Sequence, residues 1–72
     1  MNIENTEFYN ALNPAEQAAV EMAYAQLPNP PYSKTINKQV MVTWQDKELH
    51  YKVTFIGKGD SLVLQPLEII QQ

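Results

Sequence analysis

Downstream of Pro28-Asn29-Pro30-Pro31, hydrophobic residues recur at every second position, and two turn signals divide the pattern into three segments. Val40, Val42 and Trp44 alternate with Met41 and Thr43, and Leu49, Tyr51, Val53 and Phe55 alternate with His50, Lys52 and Thr54. A period of two places successive side chains on opposite faces of a strand. Closing a two-residue turn at Asp46-Lys47 pairs Trp44 with Leu49, Val42 with Tyr51 and Val40 with Val53. A second turn at Gly57-Lys58-Gly59-Asp60 sets Phe55 against Leu62 and Val53 against Leu64. Both hairpins then bury one and the same face, which a slip of a single residue would turn to solvent. This half is expected to form a three-stranded antiparallel β-meander in order 1-2-3, with Pro66 on an outer strand where its missing donor is tolerated.

Upstream of the prolines the period is close to that of a helix. Asn13-Pro14-Ala15-Glu16 has the chemistry of a helix start: Asn13 as N-cap, Pro14 in the first turn and Glu16 reaching back to close a capping box. The helix is expected to continue to Leu27, with Ala15, Ala18, Ala19, Met22 and Ala25 on one face and Val20, Tyr24 and Leu27 on another. So wide an apolar arc, small on its alanine side, suits packing on the sheet together with the first segment or a second subunit. Residues 6–12 offer a further short turn of helix, in which Phe8 and Leu12 stand i,i+4. The expected fold is α+β: an N-terminal helix, in one or two pieces, packed on the meander as one small domain over residues 1–72.

Size limits what holds such a fold together. A chain of 72 residues hides only about 60% of the surface its unfolded form exposes, and small domains commonly add a disulfide, a metal or a second subunit. There is no cysteine and one histidine, so a homodimer is the staple left by elimination. No apolar run reaches the roughly 20 residues of a membrane span, and the N-terminus lacks the basic start of a secretory signal. The expected location is the cytoplasm, with no membrane partner.

Charge disfavours nucleic acid. The net charge is −3, and the five basic residues are all lysines, which lack the bidentate guanidinium fork used for bases and phosphates. Residues 1–30 carry Glu4, Glu7, Glu16 and Glu21 without a lysine, so the helical part is the acidic part. Glu16 and Glu21 are its candidate contacts with a basic partner, against the plainer reading of a solvated helix face. The alternative to a protein partner is a nucleic acid held through Lys34, Lys38, Lys52 and Lys58.

Catalytic constellations are thin. A serine nucleophile would need His50 together with Ser33 or Ser61, and Glu48 with His50 supplies two metal ligands on one strand face where a site needs more. Gly57-Lys58-Gly59-Asp60-Ser61 has glycines like a phosphate loop, but a strand follows it and not the helix such loops open. Trp44, Tyr51 and Phe55 belong to the apolar face and are expected in the core rather than stacked on bases. Neither cofactor nor metal is expected.

The opposite sheet face is the more informative one. Met41, Ile56, Val63 and Leu67 are expected there among Thr43, His50 and Lys52, too apolar for plain solvent unless the N-terminal segment or the Leu67-Glu68-Ile69-Ile70 tail covers them. The first strand, Gln39 to Gln45, has no proline and is the edge open to a dimer mate or an added strand. The expected function is a small non-enzymatic protein-binding module acting by surface occupation, as inhibitors and modulators of the phage or mobile-element type do.

Overall fold

The structure, a computed structural model, describes residues 1–70. Two helices, α1 (Thr6–Asn10) and α2 (Pro14–Ala25), precede four strands, β1 (Thr35–Trp44), β2 (Lys47–Lys58), β3 (Ser61–Leu64) and β4 (Glu68–Ile69). The fold is α+β, with the helices packed on an antiparallel sheet in the order β1-β2-β3 and β4 pairing with β2. The capping box forms as its residues dictate: the Glu16 amide donates to Asn13 Oδ1 at 2.8 Å, and the Asn13 amide donates to Glu16 Oε1 at 3.0 Å. α2 ends at Ala25, two positions before Leu27, because the residue preceding a proline is pushed out of the helical region.

The buried face of each strand is as the alternation requires, but both hairpin registers differ from expectation by two residues. β1 and β2 pair Val42 with Leu49, Val40 with Tyr51 and Lys38 with Val53, closing at Gln45-Asp46. Both turn residues have positive φ, 50° and 63°, the mirror-image turn whose twist matches that of the flanking strands. Aspartate tolerates that conformation in the second position. The second hairpin pairs Phe55 with Leu64 and Gly57 with Leu62, leaving Gly59 (φ 74°) and Asp60 as its turn. A two-residue offset conserves every inward side chain, so hydrophobic pattern alone could not choose between these registers.

The third strand is split. β3 ends at Leu64, Gln65 donates its amide to the Thr54 carbonyl at 2.9 Å, and Pro66 occupies the break before β4 pairs Ile69 with Tyr51 and Glu68 with Lys52. Pro66 thus interrupts the outer strand where it was expected to lie within it. The tail extends the edge of the sheet and leaves the opposite face bare.

The far side of β3 is sealed by the N-terminus. Ile3 bridges Leu62 in parallel, with Glu4 N to Leu62 O at 2.8 Å and Leu62 N to Asn2 O at 3.1 Å. The Asn5 side chain then imitates a strand: its Oδ1 accepts from Leu64 N at 2.9 Å and its Nδ2 donates to Leu64 O at 2.7 Å. Asn5→Ala removes both bonds and is expected to cost about 1–3 kcal/mol of stability. Urea unfolding, and faster hydrogen exchange at the Leu64 amide, measure it.

The core joins Ala15, Ala19, Val20 and Ala23 of α2 to Val40, Val42, Tyr51, Val53, Phe55, Leu62 and Leu64 of the sheet, with Ile3 and Tyr32 added from outside the regular elements. Tyr24 meets Phe55 edge-to-face at 6.3 Å. Trp44 is not in this core: it points to the same face but is 38% exposed. Length explains it, since twelve residues of helix cover about 18 Å and twelve residues of strand about 40 Å. The hairpin tip therefore projects past the helix that buries the rest of its face.

Candidate functional site

The outer face of the sheet brings together most of the residues expected there. Met41 stands opposite His50, Thr43 opposite Glu48 and Ile56 opposite Val63, with Lys52 between them on β2. Met41 is 43% exposed, and Ile56 and Val63 are half-buried. α2 packs on the other face, and no described helix lies on this one. Polar ties are local: Thr54 Oγ1 donates to Asn37 Oδ1 at 2.7 Å, and Lys52 Nζ lies 3.8 Å from Glu68 in a solvent-exposed pair of small energetic weight.

Leu67 does not belong to this face. It packs against the core cluster, because the pairing with β2 slips by one residue at Pro66, from Phe55 with Leu64 to Tyr51 with Ile69, and a one-residue slip exchanges the faces. Glu16 is engaged in the helix cap, while Glu21 is exposed. Five residues apart on a helix, they stand about 140° apart around its axis and share no face.

The second candidate surface is the edge of β1. Gly57 N donates to Lys34 O at 3.0 Å, which fixes the even-numbered residues of this strand as those bonded to β2. The odd-numbered residues Thr35, Asn37, Gln39, Met41 and Thr43 therefore turn their N–H and C=O groups outward. Among the described residues nothing pairs with them. Since the N-terminus closes the outer edge of β3 and β4 is only two residues long, this is the long open edge of the sheet.

Where β1 begins, Pro28, Pro31, Tyr32, Ser33, Lys34, Ile36 and Lys38 line a cleft of about 370 Å³. The Tyr32 hydroxyl donates to Pro28 O at 2.9 Å and fixes the proline segment in place. The alternation of sequence gave no sign of this cleft, because its wall is built from irregular backbone.

Acid–base groups remain scattered. His50 lies near one end of β2, whereas Ser61 is paired with Lys58 at the other, eight residues and roughly 26 Å along the strand. Ser61 Oγ donates to Glu4 Oε2 at 2.7 Å, and Ser33 lies beside Gly57, also far from His50. No group of three metal-binding side chains occurs among the described residues. Burial, followed by the nearby Glu16 carboxylate, holds the Tyr51 phenol above its ordinary 10.0 and therefore protonated at neutral pH. Burial and Glu21 act in the same direction on Tyr9.

The lysines divide between the two faces. Lys34, Lys38 and Lys47 share the parity of the buried face, while Lys52 and Lys58 stand on the outer one, so the cleft holds Lys34 and Lys38 alone and no groove gathers the whole set. No helix among the described residues is long and apolar enough to cross a membrane. Comparison with known proteins finds no matching family model, no matching curated protein and no matching solved structure.

Proposed function

We propose that this chain is a small, non-enzymatic protein-binding module of the cytoplasm that acts by occupying a surface on another protein through the outer face of its sheet. The carrying observation is that Met41, Ile56 and Val63 stand on a face that no described helix covers, while the chain's own helix lies on the other side. Apolar side chains set among Thr43, His50 and Lys52 resemble the mixed composition of a non-obligate interface. The separation of His50 from both serines supports binding over catalysis, and the division of the lysines supports a protein partner over a nucleic acid.

The test is capture of partners from cells that produce the protein, comparing the wild-type chain with Met41→Asp/Ile56→Asp and with Glu21→Gln. Both variants retain the inner core. Loss of the captured protein in the first variant and its retention in the second is the expected result. Equal capture by all three removes the outer face from consideration.

A further inference from the structure

We propose that the open edge of β1 is a self-association site, at which two copies join their sheets antiparallel about a two-fold axis at Gln39 and each Trp44 enters the partner's cleft. This assignment concerns the edge and does not depend on the outer-face reading.

The register follows from the backbone. Pairing about Gln39 sets Thr35 against Thr43 and Asn37 against Met41, so every outward-turned residue meets another in a hydrogen-bonded pair and the seam gains about ten bonds. An axis one residue earlier places Lys38 opposite its own copy, a like-charge contact that destabilises a sheet. An axis one residue later leaves Thr35 unpaired. About Gln39, Lys38 faces Val40, and Val42 faces Ile36. The strand carries no other charge to oppose self-pairing.

The same register explains two features that the single chain leaves unused. Trp44 falls opposite Lys34, on the face where Lys34, Ile36 and Lys38 line the cleft. An exposed indole at one end of the hairpin thus meets an apolar cleft with lysines at its rim, and the ring face suits an ammonium. The two-fold axis repeats the contact at the other end.

The helices agree with this placement. Tyr24 contacts Phe55, and its hydroxyl accepts from Asn2 N on the β3 side. Helical spacing therefore puts Ala18 and Met22 on the opposite flank of α2, toward the open edge, and Met22 is 43% exposed. α2 packs mainly on β1 and less on β2, so with strands about 4.8 Å apart the two symmetry-related helices stand roughly 8–10 Å apart. That is an ordinary distance for packed helices, and Ala18 and Met22 are the side chains that meet across it.

Sedimentation velocity on the full chain across micromolar to millimolar concentration is the test, with fluorescence of the lone tryptophan read in parallel. A dimer is expected, with Trp44 emission shifting to shorter wavelength as it forms. Gln39→Pro deletes an N–H that points away from β2, so the monomer keeps its fold while the dimer weakens by about 100-fold or more. Met22→Lys weakens it from the helix side. A wild-type monomer at all concentrations overturns the proposal, as does a dimer that Gln39→Pro leaves intact. Either result leaves partner capture through Met41 and Ile56 to be judged by its own variants.

Discussion

Phe55→Ala is expected to remove about 3–5 kcal/mol of stability, a large part of what a domain of this size has. Phe55 is fully buried, at 0% exposure, in the middle of β2. Its ring takes the edge-to-face contact with Tyr24 of α2, while its strand neighbours on the two sides are Ile36 and Leu64. It is therefore the place where helix, first hairpin and second hairpin meet. Truncating a buried phenylalanine costs about 3–5 kcal/mol through lost transfer energy and an unfilled cavity. A domain of 72 residues has about 4–11 kcal/mol in all, so the loss approaches the whole at the lower end. Relaxation cannot refill the space, because the facing helix residues are alanines and Val20. Urea unfolding followed by circular dichroism measures it. A midpoint shift worth less than about 1 kcal/mol shows that Phe55 is not the junction of the core.

How far the residues announce this fold depends on which interaction decides each element. The capping box at Asn13-Pro14-Ala15-Glu16 was legible because it is local: two side chains and two backbone amides settle it. The buried face of the sheet was legible because a period of two survives any even slip. Register was not legible from that pattern. It is chosen by the turns, and Gln45-Asp46 and Gly59-Asp60 win because the twist of a hairpin favours the positive φ found at Gln45, Asp46 and Gly59.

Trp44 was misplaced for a different reason. Alternation identifies the side a residue points to but does not measure how far the covering helix reaches. The helix length was available, and comparing about 18 Å of helix with about 40 Å of strand would have left the hairpin tip bare. Ile3, Asn5 and Tyr32 carried no periodic signal at all, since each acts as a single residue on irregular backbone. Asn5 before the short α1 helix resembles an ordinary N-cap, yet its side chain makes no cap bond and serves the edge of β3. On the candidate site, six of the expected outer-face residues fall together because the alternation is strict there. Leu67 departs because the third strand breaks at Pro66 and resumes one residue out of register.

Gly57 and Gly59 look equivalent in the sequence, as two glycines of one turn, but their substitutions are expected to differ sharply. Gly59 holds φ at 74°, and a Cβ there meets nothing within 4 Å. Its alanine variant therefore bears only the strain of a left-handed backbone, about 1–2 kcal/mol. Gly57 is a strand residue whose Cβ would lie 2.7 Å from the Tyr32 carbonyl carbon, 2.8 Å from its oxygen and 2.9 Å from Ser33 N. All three are backbone atoms, so no rotamer change relieves the overlap. The segment is also tied down on either side, by Tyr32 N to Gly59 O at 2.7 Å, Gly59 N to Tyr32 O at 2.9 Å and Gly57 N to Lys34 O at 3.0 Å. To admit a methyl group, the chain from Pro28 to Lys34 must lift from β2, which breaks these bonds and reshapes the cleft. Overpacking of this kind costs about 1–3 kcal/mol, and the attached hydrogen bonds place Gly57→Ala at the upper end or beyond. Denaturant unfolding of the two variants side by side gives the ranking. Gly57→Ala is expected to be the less stable, with Gly59→Asn close to wild type, and the reverse order would mean that the proline segment does not press against β2 as described.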